Sequence, residues 1–138
     1  DIHSNCGPVL IHHNDVKQVV MNLCTNAYHA MQKMGGVLTV SLDEAEIDKA
    51  MASRHANLSP GKYGHLIVRD TGHGMDQKTM GRIFEPFFTT KVVSQGTGLG
   101  LSVVHGIVMS CNGDIIVESQ LEKGTTVHVY LPLVDGDI

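Results

Sequence analysis

Asn22 and Asn26 are the first residues of the chain whose type and spacing could support chemistry. Side chains at positions i and i+4 of a helix point the same way, so the two amides would project from one face. Asparagine is a mediocre helix former, and two in mid-helix indicate a task such as offering carbonyl oxygens to Mg²⁺, which prefers oxygen donors, water and a substrate phosphate. A solvated polar face, shared with Gln18, His29 and Lys33, is the alternative interpretation.

The segment DTGHGM, residues 70–75, follows a predicted strand. Gly72 and Gly74 would let the backbone approach a flat ligand, while the carboxylate of Asp70 would accept hydrogen bonds from an amino group such as that of adenine. An ordinary strand-to-helix turn, with Asp70 as a local cap, is the alternative.

Three glycines, Gly96, Gly98 and Gly100, directly precede an apolar segment that predicts a helix. A glycine-rich loop that leads into a helix N-terminus favours phosphate, because backbone N–H groups and the helix dipole are directed at the anion. The pattern alone is weak evidence, and it matches neither the P-loop nor the dinucleotide-binding motif.

The stretch FEPFFTTKVVSQGTGLGLS, residues 84–102, contains every phenylalanine of the chain. We interpret Phe84, Phe87 and Phe88 as anchors, and residues 89–95 as a cover segment that reorganises around a ligand. The neighbouring glycines would permit this, since glycine adopts backbone conformations that other residues resist. A core cluster of phenylalanines under an inert loop is the alternative.

The elements that must position these residues follow from hydrophobic periodicity and turn signals. Apolar residues recur every three to four positions from Val16, which predicts a helix capped by Asn14 or Asp15 and ended by Gly35 and Gly36. Strands are predicted at 9–13, 37–42, 65–70, 114–120 and 125–133, further helices at 76–84 and 101–111, and a surface excursion with a helical turn at 43–63.

The order of these elements predicts an α+β sandwich with helices on one sheet face, and it favours this fold over a doubly wound parallel sheet. The last two strands would form a hairpin around Lys123 and Gly124. The chain has 138 residues, of which 42% are hydrophobic, and this fits one domain with one packed core.

Charge and cysteine content exclude several function classes. The net charge is −4 and the ten Lys and Arg are scattered, so nucleic-acid binding has little support. Cys6, Cys24 and Cys111 show neither a disulfide framework nor zinc-site spacing, and no apolar run reaches the ~20 residues that span a bilayer. We therefore expect a cytoplasmic setting. Because the sequence begins at Asp1 without Met, we also expect a fragment of a longer protein.

The motifs and their order resemble the ATP-binding catalytic domain of sensor histidine kinases, in the GHKL superfamily with Hsp90, type II topoisomerases and MutL. The segment NLCTNA resembles the N box, DTGHGM the G1 box, IFEPFFTTK the F box and GTGLGLS the G2 box, and Gly124 with Thr125 resembles the final Gly-Thr element. The F and G2 boxes point to the kinases within the superfamily. The short segment between them resembles that of nitrogen-regulation-type kinases.

The resemblance implies the Bergerat fold, with a mixed, mostly antiparallel sheet, and ATP and Mg²⁺ as cofactors. It implies that Asn22 and Asn26 hold Mg²⁺ and phosphates, that Asp70 binds the adenine amino group, and that Gly72 and Gly74 shape the adenine pocket. His29 stands where many of these kinases have Lys or Arg. The further nucleotide contacts that the resemblance implies are His29, Thr89, Thr90, Lys91, Gly96, Thr97, Gly98, Leu99, Gly100 and Thr125.

The resemblance further implies that this single domain presents the γ-phosphate of ATP to a histidine on a dimerisation domain outside the chain, with a response regulator as an indirect partner. Nucleic acid and direct membrane contact are not implied, and we expect no autophosphorylation of the chain alone. A non-catalytic nucleotide-sensing module of the same fold is one alternative. An ATPase of the Hsp90 or MutL branch is another, but it would have an acidic general base where this chain has Asn22.

Overall fold

The computed structural model describes residues 13–55, 58–85 and 100–133. Within these ranges the helices and strands do not strictly alternate along the chain, which is typical of an α+β fold. In chain order they are α1 (His13–Ala30), β1 (Leu38–Ile47), α2 (Lys49–Arg54), β2 (Gly61–Asp70), α3 (Gln77–Met80), α4 (Gly100–Ser110), β3 (Asp114–Gln120) and β4 (Gly124–Pro132).

The strands form one sheet in the order β1-β2-β4-β3. Every pairing among the described strands is antiparallel, which confirms the mostly antiparallel sheet that the family resemblance implies. One row of the register crosses all four strands, with Leu38 opposite Asp70, Asp70 opposite Thr125, and Thr125 opposite Ser119. Residues in such a row share one face of the sheet.

The main core lies between that face of the sheet and the helices α1 and α4. It includes Leu23 of α1, Val104 and Val108 of α4, and Val68 and Val129 of the sheet, all of them buried. The apolar residues of α1 recur at helical spacing and those of β2 and β4 at every second position, so each element has one apolar side. Burial of these two apolar surfaces against each other forms the two-layer sandwich.

A second, smaller core covers one end of the opposite sheet face. Ile47, Tyr63 and Tyr130 are buried there against Met51 and Ala52 of α2. The rings of Tyr63 and Tyr130 meet edge to face, with centroids 6.4 Å apart. The helices of the main core thus lie on one face as predicted, while the short α2 adds a partial layer on the other.

This second core explains why β1 and β2 are longer than predicted. The pairing continues to Ile47 opposite Gly61, so residues 43–47 and 61–63 of the predicted excursion at 43–63 are strand. The rest of the excursion includes α2, whose N-cap is Asp48; the Asp48 carboxylate accepts a hydrogen bond of 2.8 Å from Met51 N.

The bounds of α1 also differ from the prediction. The helix begins at His13, before Asn14 and Asp15, so His13 is not part of a strand, and residues 9–12 of the predicted strand lie outside the described residues. It ends at Ala30 rather than at Gly35 and Gly36, and a turn follows. The carbonyl of Ala30 accepts its hydrogen bond from His73 N at 3.1 Å, a partner from a distant loop. The series of backbone hydrogen bonds that forms α1 therefore does not continue beyond this carbonyl.

The remaining elements lie close to their predicted positions. The helix predicted at 76–84 is confirmed only for Gln77–Met80, with Asp76 as its cap and Gly81 at its end. The helix predicted at 101–111 and the hairpin strands match within one residue at each end.

Candidate functional site

The two asparagines of α1 lie beside the first residue of α4. Asn22 Nδ2 donates a hydrogen bond to the carbonyl oxygen of Gly100 at 3.2 Å, and Asn22 Oδ1 accepts one from Gln18 Nε2 at 3.1 Å. A Cβ on Gly100 would lie 3.5 Å from Asn26 Oδ1. Both asparagines are half-buried, so this side of α1 contacts α4 and is not simply a solvent-exposed face. The two amides flank the start of a helix, where backbone N–H groups favour anions.

Asp70 is buried at the end of β2, with a relative exposure of 7%. Its Oδ1 accepts a hydrogen bond from Gly72 N at 2.8 Å, and the backbone N–H of Thr125 also donates to the carboxylate. Burial raises the pKa of Asp70, while these two hydrogen bonds and the nearby His73 oppose the rise. The bond to Gly72 is a local turn, as the alternative interpretation expects, but the cap of α3 is Asp76.

The loop after β2, residues 71–76, is held between α1 and the β3–β4 hairpin. A Cβ on Gly72 would lie 2.5 Å from the carbonyl oxygen of Ala30, which leaves no room for a larger residue. Gly74 has a φ of +68° and lies against the carbonyl of Gln120, so glycine is required there both by conformation and by space. Packing inside the protein thus accounts for both glycines that the sequence assigns to a ligand pocket.

Helix α1 connects the two groups of predicted site residues. Asn22 and Asn26 contact the start of α4, and Ala30, one turn further on, binds the loop that follows Asp70 through the hydrogen bond from His73. The amides and the carboxylate therefore belong to one structural unit.

The other predicted contacts divide into those that the structure describes and those that it does not. His29 is half-buried on α1, with its ring centroid 5.7 Å from that of Tyr28, and Thr125 is half-buried opposite Asp70. Gly100 is the first residue of α4. The predicted contacts that lie outside the described residues are Thr89, Thr90, Lys91, Gly96, Thr97, Gly98 and Leu99.

Of the three phenylalanines interpreted as anchors, the structure describes Phe84. It is packed against the main core, and its ring stacks on His105 of α4 with centroids 4.7 Å apart. Phe87, Phe88 and the cover segment lie outside the described residues.

Ser119 is a polar contact of this region that the sequence interpretation missed. Its Oγ lies 2.8 Å from Met75 N, 3.1 Å from Gly124 O and 2.8 Å from Thr125 Oγ1. No motif marks this serine. The available signal was the hairpin register, which places residue 119 opposite Thr125 once the turn is assigned.

Two further properties concern only the described part of the chain. No group of three or more His, Cys, Asp or Glu side chains there could hold a metal ion, and no helix there has the length and apolar content to cross a membrane. Cys24 and Cys111 are free thiols, and Cys6 lies outside the described residues.

Comparison with known proteins places this architecture in a family. Residues 12–135 match the family described as histidine kinase-, DNA gyrase B-, and HSP90-like ATPase. Sensor kinase CckA of Brucella abortus (strain 2308) is 40% identical over 125 residues, which cover 91% of this chain and 13% of CckA. Sporulation kinase E of Bacillus subtilis (strain 168) is 35% identical over 96% of this chain and 16% of its own length.

A solved structure of similar fold is the mycobacterial sensor histidine kinase MprB, with a TM-score of 0.66 and 25% identity over 95% of this chain and 81% of that one. Full-length ShkA in complex with AMPPNP gives a TM-score of 0.65 and 25% identity, covering 95% of this chain and 24% of ShkA. The chain thus spans only a small part of the curated relatives that it matches.

Proposed function

The chain belongs to the histidine kinase-, DNA gyrase B- and HSP90-like ATPase family, and we propose that it binds ATP with Mg²⁺ as the catalytic domain of a sensor histidine kinase. The relatives named as sensor and sporulation kinases support this assignment, as does the complex of ShkA with an ATP analogue. The nitrogen-regulation subtype stays a prediction, since it depends on the segment between the F and G2 boxes.

The observation that carries the proposal is the position of α1 between two kinds of ligand-binding group. Asn22 and Asn26 adjoin the N-terminus of α4, where phosphates are favoured. The loop that follows Asp70 is bound to the C-terminal end of the same helix. A nucleotide has a flat base at one end and phosphates at the other, so it matches a carboxylate close to the C-terminal end of α1 and amides with backbone N–H groups one to two turns before that end.

The residues present fit a magnesium ion. The amides of Asn22 and Asn26 supply hard oxygen donors without added charge, and Mg²⁺ commonly binds one or two protein oxygens together with water and substrate phosphates. The ion, when bound, would neutralise charge on the phosphate oxygens. Asn22 already uses its N–H to bind Gly100 O, which directs Oδ1 away from that bond and orients it.

Asp70 would recognise the base. Its carboxylate is held in place by the N–H groups of Gly72 and Thr125, and an ionised carboxylate is only an acceptor. A donor such as the exocyclic amino group of adenine would satisfy its remaining lone pairs, and a buried acceptor left without a donor is costly.

Transfer of the phosphoryl group needs mainly positioning and charge neutralisation from this domain. The acceptor histidine would come from a dimerisation domain elsewhere in the parent protein, in the cytoplasm, and a response regulator would then take the phosphoryl group. The 138-residue chain, as one domain of that protein, would bind ATP without phosphorylating itself.

The test is a calorimetric titration of the chain with ATP, with and without Mg²⁺. Asn26→Ala should abolish most of the Mg²⁺-dependent gain in affinity, and Asp70→Asn should weaken ATP binding roughly tenfold through loss of one charged hydrogen bond. Asp114→Asn is the matched control, because Asp114 is equally buried, at 8%, and bonds to the backbone N–H of Ile115 at the other end of the sheet. Unchanged ATP affinity in both site variants would reject the assignment.

A further inference from the structure

Ser119, Thr125 and Asp70 lie side by side on the face of the sheet that carries α1 and α4. Thr125 of β4 is opposite Ser119 of β3 on one side and opposite Asp70 of β2 on the other. Asp70 and Thr125 are both among the residues assigned above to the nucleotide, whereas Ser119 is one strand further away.

The hydroxyl of Ser119 has three partners, and the chemistry of Met75 N and Gly124 O fixes the direction of two of these hydrogen bonds. Met75 N can only donate to Ser119 Oγ, at 2.8 Å, and Gly124 O can only accept from it, at 3.1 Å. A serine hydroxyl has a single proton. Since that proton is used on Gly124 O, the 2.8 Å contact between Ser119 Oγ and Thr125 Oγ1 is made only if Thr125 is the donor.

The consequence for Thr125 is that its own proton is occupied. The remaining lone pairs of Thr125 Oγ1 can then only accept hydrogen bonds. The neighbouring carboxylate of Asp70 is likewise an acceptor, and it is held by the backbone N–H groups of Gly72 and Thr125. Two adjacent acceptors favour a ligand group with two N–H bonds and disfavour a carbonyl oxygen in the same place.

We propose that Ser119 is a positioning residue for base selection, which makes the Thr125 hydroxyl an obligate acceptor and thereby favours purines with an amino group at C6 over purines with an oxo group. This inference rests on the proposed ATP site and deepens it. Ser119 acts through Thr125, and it also fixes the loop after β2 by accepting from Met75 N.

The loss of Ser119 therefore has two separable effects. In Ser119→Ala the half-buried Met75 N–H loses its acceptor, which lowers stability and affinity for every nucleotide alike. In the same variant the Thr125 hydroxyl is released to rotate and donate, which affects oxo and amino purines in opposite directions. Only the second effect changes the ratio of the two affinities.

The experiment compares dissociation constants of the 138-residue chain for ATP and inosine triphosphate, which differ in the amino and oxo substituents at C6 and in N1, an acceptor in ATP and a donor in inosine triphosphate. The unmodified chain is expected to prefer ATP, and Ser119→Ala to reduce that preference about fivefold, the value of one hydrogen bond. Ser119→Thr keeps the hydroxyl and is expected to restore the preference. Ser53→Ala is the matched control, because the Ser53 hydroxyl bonds within α2 to Ala50 O.

An equal loss of affinity for both nucleotides in Ser119→Ala would overturn the proposal and leave a purely structural serine. If Ser119→Ala does not fold, Thr125→Val removes the same acceptor oxygen while keeping the Ser119 bond to Met75, and an unchanged preference in that variant would also overturn it. Failure of the unmodified chain to bind either nucleotide would instead reject the proposed function itself.

Discussion

Replacement of His65 by glutamine is expected to make the protein less sensitive to mild acid. His65 lies on the sheet face opposite the main core, where its Nε2 is 2.9 Å from His128 Nδ1 and its ring stacks on Tyr130 at 4.3 Å. Burial and the neighbouring His128 lower the pKa of His65 from 6.5 to about 4, and Asp43 opposes this. The pKa of His128 is also lowered by burial, while Glu118, 3.3 Å away, opposes the shift.

A lowered histidine pKa sets the sign of the effect. The unfolded chain takes up a proton near pH 6.5 and the folded chain only near pH 4, so the free energy of unfolding falls as the pH is lowered through that window and levels off below it. Between pH 7.5 and pH 5, the full difference between the folded and unfolded pKa of His65 corresponds to a loss of ~2 kcal/mol in the free energy of unfolding. Because His65 is only about half buried, solvent screening reduces this to roughly 1 kcal/mol.

The measurement is urea unfolding of the unmodified chain and of His65→Gln at pH 7.5 and pH 5. The glutamine amide can still donate to His128 Nδ1 but does not titrate. His55→Gln is the control, since His55 follows α2 and lies outside the ring stack. Identical pH dependence in the unmodified chain and in His65→Gln would refute the reasoning.

Two further predictions concern stability at constant pH. Gly74→Ala should destabilise the protein by ~2 kcal/mol or more, because the φ of Gly74 is +68° and a Cβ would meet the backbone of Gln120. The control Gly106→Ala, in open space on α4, should be neutral or stabilising. Equal midpoints of the two variants in urea unfolding would contradict this. Asp48→Ala should lower the free energy of unfolding by ~1 kcal/mol, because the hydrogen bond from Met51 N to the α2 cap is lost. The measurement is thermal unfolding, with Asp48→Ser, which retains a capping oxygen, as the control. An unchanged melting temperature in both variants would count against the cap.

Local sequence patterns predicted the elements that form the main core. The recurrence of Val19 and Leu23 identified α1, and the alternation of Val127 and Val129 identified β4, because each pattern reflects burial of one side of an element. The end of α1 at Ala30 could not be predicted in this way, since the hydrogen bond that replaces the helical one comes from a residue distant in the sequence.

The candidate site was predictable to the extent that its residues are consecutive or regularly spaced. The four-residue interval of Asn22 and Asn26 places both on one helix face, and the structure shows both beside Gly100. Ser119 was missed because its partner Met75 is 44 positions away in the loop after β2, so no local pattern relates the two. The lengths of β1 and β2 likewise depend on Tyr63 and Ile47 being covered by α2.

Helix α1 also sets a length. Asn26 and Ala30 are separated by one helical turn, a rise of about 6 Å along the axis, and a helix packed on the sheet along one whole side cannot stretch or shorten this interval. One end of the interval contacts the start of α4 and the other contacts the loop after Asp70. In the proposed function α1 therefore fixes the spacing between the groups that bind the base and those that bind the phosphates. A molecule whose base and phosphates are spaced differently from those of a nucleotide can bind one of these groups, but not both at once.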